Sequence, residues 1–282
     1  MYKIARTAFA AISVLTLALA SQATAGTVST LYVVRAFDTS VIAVQGDSII
    51  NTFTTDSSHQ GALAVNDTIR IMGSGSGIAG SEYDLSGNLL NAGIYTNPAY
   101  RDTYDGASDG QYNYTIAHND GSDSNGTPLF QKVLRFDANW QNATELFTMT
   151  QRGSGITHDS STNSLWTSGG PGAPNGSIQQ YSMTGQLLSS FSIGVSHYGL
   201  AYDAADDTLW ASAWSTNLLY QYSKAGVLLS TTNLGGQMFS SQAAGMEFAP
   251  AAVPVPAALP LLAAGLGIFG FVGRRRKSAT KA

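Results

Sequence analysis

The chain contains no cysteine, and it is poor in charged side chains. Lysine and arginine number 14, aspartate and glutamate number 18, and charged residues make up 11% of the 282 positions. The absence of cysteine excludes disulfides, thiol catalysis, iron–sulfur clusters and cysteine-ligated zinc. The sequence also has no phosphate-binding loop and no His-Glu-x-x-His segment, so those nucleotide-binding and zinc-protease motifs are absent.

Basic residues are scarce in the middle of the chain. All 18 acidic residues lie within residues 26–250, but only seven of the 14 basic residues do, so this part carries a net charge of −11. An acidic body argues against nucleic acid as a partner, because binding to phosphates requires a basic face. The other seven positive charges lie near the two ends of the chain.

The first 25 residues have the features of a secretory signal peptide. Lys3 and Arg6 give a positive start, an apolar stretch runs from Ala8 to Ala20, and a small-residue cleavage site ends at Ala25. This pattern predicts a helical leader that the secretion machinery recognises and that is removed on export. An uncleaved amino-terminal anchor is the alternative.

A second targeting segment lies at the other end. Residues 258–272 are apolar and uncharged, and the basic cluster 274–277 follows them. About 16 helical residues span about 24 Å, less than the roughly 30 Å of a bilayer core. The basic cluster is expected to stay on the cytoplasmic side. These features predict a short transmembrane helix that holds a precursor in the inner membrane.

The same segment resembles a PEP-CTERM sorting signal in its Val-Pro-x-Pro-Ala form. The residues that carry the resemblance are Val253, Pro254, Val255, Pro256, Ala257, Arg274, Arg275, Arg276 and Lys277. Val255 stands where the usual Pro-Glu-Pro has its glutamate. The resemblance implies that residues 251–282 are a sorting tail, processed by an exosortase-type enzyme in a Gram-negative envelope, and that the product reaches the cell surface or the medium. An ordinary tail anchor is the alternative.

The remaining domain, residues 26–250, is a repeat of short strands. Gly155–Ser212 contains the clearest copies, because Gly155–Ser168 matches Gly199–Ser212 at an offset of 44 residues. Ile178–Ser189 matches Leu219–Ser230 at an offset of 41. Each copy is typical of four strands with a glycine turn before the last, and four strands in 40–50 residues predict a β-propeller blade.

The two ends of the domain are each incomplete copies. Residues 30–50 have three strands without an inner one, and residues 244–249 have an inner strand alone. Pairing them would complete one blade and close the ring, which removes exposed strand edges. We therefore predict an all-β propeller of five four-stranded blades, with a sixth blade if residues 98–110 hide strands and an irregular β-sandwich as the alternative fold. The inner strands are predicted to begin near Gly61, Tyr114, Gly155, Gly199 and Gly245.

The repeat alignment selects candidate binding residues at one mouth of the central channel. His59 and His197 each precede, by two residues, the glycine that opens an inner strand. Imidazoles, a guanidinium and exposed aromatic rings there would suit a metal, an anion or a carbohydrate. The predicted ligand-binding residues are His59, Gln60, Arg152, His197, Tyr198 and Trp214. The alternative is that they only cap the ends of strands.

A polar loop offers a weaker metal site. Asp120, Asp123 and Asn125 lie before Gly126, in partial agreement with a calcium loop, but Lys132 stands where such a loop needs a bidentate glutamate. Structural calcium is therefore a low-ranking prediction beside a flexible polar loop, and no other cofactor is predicted.

The repeat pattern of the domain resembles bacterial NHL-like and quinoprotein-like propellers. Such folds host lyases, lactonases and glycosidases as well as binding modules, so the fold leaves the function open. We expect a non-catalytic binding or structural component of the envelope or matrix, with carbohydrate or another envelope protein as partner. Links to exopolysaccharide and biofilm are what the sorting-signal resemblance implies. A secreted propeller enzyme that works at the channel mouth is the alternative.

Overall fold

The computed structural model contains twenty β-strands and describes most of the domain. The described residues are 29–35, 39–56, 60–73, 79–93, 103–118, 131–149, 151–169, 176–213, 216–235 and 243–250. The strands are β1 (Leu31–Arg35), β2 (Ser40–Gln45), β3 (Ser48–Thr54), β4 (Gln60–Val65), β5 (Ile69–Gly73), β6 (Ser81–Tyr83), β7 (Leu89–Ala92), β8 (Thr103–Ser108), β9 (Tyr112–His118), β10 (Gln131–Asp137), β11 (Thr144–Thr148), β12 (Gly153–Asp159), β13 (Ser164–Gly169), β14 (Ser177–Ser182), β15 (Leu187–Ser192), β16 (His197–Asp203), β17 (Thr208–Ala213), β18 (Leu218–Ser223), β19 (Leu228–Asn233) and β20 (Ala243–Phe248).

The strands form five antiparallel sheets of four, which are the blades of a propeller. From the inner to the outer strand, blade 1 is β20-β1-β2-β3, blade 2 is β4 to β7, blade 3 is β8 to β11, blade 4 is β12 to β15 and blade 5 is β16 to β19. The inner strands β4, β8, β12, β16 and β20 contact one another in that order, and β20 contacts β4. The prediction of a five-bladed propeller is confirmed.

The ring closes in blade 1 through the two ends of the domain. Strand β20 pairs antiparallel with β1, with Val33 opposite Met246 and Leu31 opposite Phe248. The backbone N–H of Ala249 also donates to the carbonyl of Thr30 at 2.8 Å. The predicted pairing of the amino-terminal and carboxyl-terminal segments is confirmed.

One inner strand was predicted at the wrong place. Tyr114 belongs to β9, the second strand of blade 3, and the inner strand of that blade is β8. Strand β8 lies in the stretch 98–110, which was considered as the source of a sixth blade. The strand completes blade 3 instead, because Gly106 pairs with Thr115 and Ala107 pairs with Tyr114.

The hydrophobic core is divided into five clusters, each between two neighbouring blades. In the cluster between blades 4 and 5, Trp166 is 1% exposed and packs with Leu200 and Leu209. In the cluster between blades 5 and 1, Met246 of β20 packs against Val33 of β1 and Leu219 of β18. Because every cluster needs both of its blades, no blade has a core of its own and the ring is the folding unit.

The turns before the outer strands use glycine, as the repeat predicts. Gly185 has φ of +84° and Gly226 has φ of +84°, a conformation that glycine adopts without strain. A β-carbon at Gly226 would also lie 2.6 Å from the ring of Phe191, on the outer strand of the preceding blade. The glycine therefore serves both the turn and the packing of neighbouring blades.

The ring has two faces. We call the edge where the inner strands end the lower face and the edge where they begin the upper face. Strand β20 ends and β1 begins at the lower face, so both ends of the described chain lie there. The turns of the lower face carry the aspartates Asp47, Asp67, Asp84, Asp109, Asp137, Asp159, Asp203, Asp206 and Asp207.

The predicted leader helix and the predicted carboxyl-terminal helix lie outside the described residues. Within the described ranges, none of the structure forms a helix with the length and apolar character needed to span a membrane.

Candidate functional site

The axis of the ring is occupied by two carboxylates. Three inner strands carry glycine at the position nearest the axis, β4 carries an alanine there, and β8 carries an aspartate. These five residues are Ala62, Asp105, Gly155, Gly199 and Gly245. The space that the glycines leave is filled by the Asp105 side chain, which is 0% exposed.

Asp105 lies on β8, and its two oxygens join this strand to three other inner strands. Its Oδ1 accepts backbone N–H bonds from Met246 at 2.8 Å and from Gly106 at 2.9 Å. Its Oδ2 accepts from Ile156 at 2.9 Å and from Leu200 at 2.8 Å. Burial raises the pKa of Asp105 well above its usual range, and the four N–H donors oppose that shift.

Glu247 plays the same part nearer the lower face. Its Oε2 accepts the backbone N–H of Val65, and its Oε1 accepts that of Ser108 at 2.5 Å. Burial raises the pKa of Glu247 well above its usual range, and the charges of Asp105 and Asp109 add to the effect. The two carboxylates therefore tie inner strands together and close the channel at the axis.

The upper mouth brings together two of the predicted binding residues. Burial raises the pKa of Tyr198 to about 12, Tyr104 adds to this and the charge of Arg152 opposes it. The rings of Tyr104 and Tyr198 meet edge to face, with centroids 5.7 Å apart. The Nε atom of Arg152 is buried and has no hydrogen-bond partner among the described residues. Arg152, Tyr198 and Tyr104 thus form one cluster, which we call the upper-mouth cluster.

His197 does not join this cluster through its side chain. The imidazole is 0% exposed, its Nδ1 lies 3.0 Å from the carbonyl of Val195, and its ring packs against Tyr220 and Tyr222. Burial lowers the pKa of His197 to about 4, and the contact with Val195 opposes that shift. The expectation that His197 faces the channel mouth is therefore corrected, because its side chain points into the packing of blade 5.

The buried imidazole should make stability depend on pH. His197 is neutral in the fold, whereas an unfolded histidine takes up a proton below about pH 6.5. Stability from this residue is therefore complete above pH 6.5 and is lost as the pH falls toward 4. Relative to His197→Phe, the wild-type chain should lose about 3 kcal/mol of unfolding free energy between pH 7 and pH 4 in urea titrations. Parallel curves for the two proteins would contradict this assignment.

The other predicted site residues are not placed by the structure. His59, Trp214, Asp120, Asp123 and Asn125 lie outside the described residues, and only the backbone of Gln60 is described, at the start of β4. Within the described ranges, no group of three histidine, aspartate or glutamate side chains is arranged to hold a metal ion.

A small cavity of about 240 Å³ opens at the lower end of the axis. Its wall includes Ser108, which is the serine of a Gly-x-Ser-x-Gly match at Gly106–Gly110 that the sequence analysis missed. In hydrolases this motif makes a strand-to-helix elbow with an exposed nucleophile. Here it lies in the β8–β9 hairpin, and the Ser108 hydroxyl donates to the carbonyl of Tyr112 at 3.3 Å and accepts from Asn66 at 2.9 Å. The match therefore belongs to a β-hairpin turn and does not form the strand-to-helix elbow of a hydrolase.

Sequence reasoning also missed Asp105, Glu247 and Tyr104. Asp105 and Tyr104 lie on β8, the inner strand that was not recognised, so the repeat alignment could not assign them to the axis and the mouth. Glu247 was available as a signal, because it is the only acid in β20 and shares its position with Ala64 and Ala107 of other inner strands.

Comparison with known proteins identifies the tail and supports the fold. The family model of the PEP-CTERM protein-sorting motif matches residues 252–277. The chain therefore carries this sorting motif, which implies an exported protein that an exosortase-type system processes. No curated protein matches the chain.

Several solved structures resemble the propeller. A chain of the nidogen/laminin complex matches 80% of this chain and 100% of its own, with 12% identity and a TM-score of 0.55. A protein of unknown function from Bacteroides caccae matches over 73% of both chains, with 12% identity and a TM-score of 0.46. A functionally unknown protein from Desulfotomaculum acetoxidans matches 79% of this chain and 86% of its own, with 11% identity and a TM-score of 0.47. The first of these likenesses supports the fold alone.

Proposed function

We propose that this protein is a non-catalytic binding component of the cell surface or extracellular matrix, which contacts polysaccharide through the upper-mouth cluster. In this proposal residues 1–25 are a cleaved leader, and residues 251–282 hold the precursor in the inner membrane until the exosortase-type system processes it. Both described ends of the domain lie at the lower face, so the upper face would point away from the membrane.

The observation that carries the proposal is the closed axis. The carboxylates that an enzyme would use in the channel are bonded to backbone N–H groups, as the contacts of Asp105 and Glu247 illustrate. Acid–base catalysis also needs a histidine or carboxylate in reach of its partner. Among the described side chains, His158 bonds to Asn163 at 3.1 Å and His197 to a backbone carbonyl, so neither contacts a carboxylate. This arrangement favours a scaffold over an enzyme.

The upper-mouth cluster has chemistry suited to a sugar polymer. Arg152 has a planar guanidinium that can bind hydroxyl or carboxylate groups. Two of its N–H groups can donate to two oxygen atoms at once. The rings of the partly exposed Tyr104 and the buried Tyr198 lie beside it. Aromatic rings with a few polar groups are the usual lining of a ligand site.

The test is the affinity of the surface-recovered protein for the exopolysaccharide of the same cells. Replacing Arg152 with alanine should weaken binding about tenfold to a hundredfold, since a hydrogen bond to a charged group contributes about 1.5–3 kcal/mol. Arg135→Ala is the matched control, because Arg135 lies 4.5 Å over the Tyr112 ring, near the lower face. The mass of the recovered protein also reports whether residues 1–25 and the segment beyond about Pro256 have been removed.

Two results would count against the proposal. Equal affinity of the wild-type and Arg152→Ala proteins would remove the upper mouth from binding. Shortening of the polysaccharide during incubation would favour the enzyme alternative.

A further inference from the structure

An opening in the side of the ring lies between blades 5 and 1. It is a groove of about 500 Å³, and its wall includes Asp203, Trp210 and Gln221 of blade 5 with Phe248 of blade 1. We call it the open groove. It lies on the lower face side, away from the upper-mouth cluster, so an inference about it is independent of the function proposed above.

The groove is open because blade 1 has a short turn. Only Gly46 and Asp47 lie between its third and fourth strands, whereas four to six residues occupy that turn in the other blades. A β-carbon on Gly46 would meet no atom within 4 Å, while one on Gly226 would meet Phe191. The outer strand of blade 5 also has Thr232 where blade 4 has Phe191, since each lies opposite the second residue of its neighbouring strand.

The same place between blades 4 and 5 is filled by a lysine. Lys224, in the turn of blade 5, lies 5.3 Å over the ring of Tyr202. Its Nζ is 3.1 Å from Oδ2 of Asp159 and 2.5 Å from Oδ1 of Asp207. The indole of Trp166 donates to the same Oδ2 of Asp159 at 3.2 Å. The ammonium group is thus held by two carboxylates and an aromatic ring, and the indole donates to one of the carboxylates.

The open groove repeats one carboxylate, the indole and the aromatic ring of this arrangement, without the ammonium group. Asp203, Trp210 and Phe248 occupy the positions of Asp159, Trp166 and Tyr202, as the strand pairings establish. Trp210 and Phe248 meet edge to face with centroids 6.0 Å apart.

The polar atoms of the groove differ from those of the filled interface. Oδ1 of Asp203 accepts from Ser29 at 2.7 Å and from Ala205, but no described residue donates to its Oδ2. The Nε1 atom of Trp210 also has no partner among the described residues. The carboxylate oxygen that binds Lys224 and the indole N–H that donates to it in one interface therefore have counterparts without a partner among the described residues in the other.

Charge distinguishes the two carboxylates in the same way. Burial alone would raise the pKa of Asp159, but hydrogen bonds from Ser161, Trp166 and Lys224 lower it to about 2. Burial raises the pKa of Asp203, and the neighbouring charge of Asp206 adds to the shift. A positive group beside Asp203 would relieve both effects.

We propose that the open groove binds a short stretch of polysaccharide whose sugar units carry free amino groups, with one ammonium held between Asp203 and Phe248. The polymer is favoured over a single lysine because the groove is long. Its wall runs from Phe248 on the inner strand to Thr232 on an outer strand, three strand spacings or about 14 Å. Gln221 and Ser230 line the outer part and supply hydrogen-bonding groups for sugar hydroxyls.

The first experiment measures binding of a fully deacetylated glucosamine oligosaccharide to the protein purified from the cells that export it. Binding is expected to fall at least tenfold with the acetylated oligosaccharide, which has the same ring and no ammonium. Asp203→Asn should cause a similar loss, because it keeps the shape and removes the charge. Asp67→Asn is the control, since Asp67 is exposed at the lower face of blade 2. Equal binding of the two oligosaccharides would overturn the proposal, as would stronger binding of a lysine-rich peptide.

The second experiment fills the groove. Replacing Gly46 and Asp47 with Lys-Ala-Gly-Val, the turn 224–227 of blade 5, should place a lysine ammonium in the proposed site beside Asp203. We expect this protein to melt at a higher temperature than the wild type and to bind the deacetylated oligosaccharide much more weakly. A folded graft that binds it with unchanged affinity would show that the groove is not the binding site.

Discussion

A chain with Asp105 replaced by alanine is expected not to fold. The substitution removes both acceptors for the backbone N–H groups of Met246, Ile156 and Leu200, as well as that of Gly106. Each buried donor left without a partner costs roughly 1–3 kcal/mol. The sum is comparable with the roughly 5–15 kcal/mol by which domains are stable. Circular dichroism and thermal melting would report the loss as an absent cooperative transition.

One further variant separates the charge of the Asp105 carboxylate from its shape, and another serves as a control. Asp105→Asn keeps the size of the side chain and one acceptor oxygen, but it turns an amide donor toward backbone donors, so an intermediate loss of stability is expected. Asp67→Ala removes an exposed aspartate of a lower-face turn and should melt within a few degrees of the wild type, as surface substitutions usually do. A cooperative melt of Asp105→Ala near the wild-type temperature would show that the axis does not depend on this carboxylate.

A chain that stops after residue 242 is the second variant that we expect not to fold. It lacks β20, so β1 loses its inner partner and Val33 loses the packing of Met246. Asp105 loses one N–H donor, and the N–H groups of Val65 and Ser108 lose the Glu247 carboxylate. The strand edge and the core between blades 5 and 1 would both be exposed, so we expect aggregation and no cooperative unfolding.

The matched control stops after Pro250. It removes the sorting tail and keeps all twenty strands, which lie between Leu31 and Phe248. This shorter chain should melt cooperatively and give the far-ultraviolet spectrum of a β-protein. If the chain ending at residue 242 behaves in the same way, the closure of the ring is not needed for folding.

The repeat made most of the fold predictable from the sequence. The matched segments Gly155–Ser168 and Gly199–Ser212 became inner and second strands in the same register. Blade closure followed from two incomplete ends, because one strand and three strands together make a blade. These features are local patterns or simple counts, and neither requires knowledge of side-chain contacts.

Blade 3 shows where this reasoning fails. Its inner strand has Asp105 where blades 1, 4 and 5 have glycine, so the glycine that marks an inner strand is missing and β9 was taken in its place. The repeat therefore hides the residue that differs most from it. Such a departure from the pattern was the available signal for an axial carboxylate, but it could be recognised only after β8 had been identified.

The candidate sites depended on side-chain direction, which repeat phase alone does not give. His197 has the spacing of a mouth residue, yet its ring turns into blade 5 and is fully buried. Arg152 and Tyr198 lie near one another, and Tyr104 joins them from the unrecognised strand. Trp210 has the phase of the buried Trp166 but lines a groove, because the turn that would cover it is short.

The sequence by itself determined that the chain carries a sorting motif, and it determined most of the architecture. The sorting motif at residues 252–277 and the 40–50-residue repeat are written in consecutive positions, and strand periodicity follows from local backbone geometry. Only the tertiary structure decided what lies at the axis and in the open groove. Asp105 reaches strands that are 51 to 141 residues away in the chain, and Asp203 and Phe248 come together only when the ring closes. Contacts of that kind depend on the packing of separate blades, so no local pattern contains them.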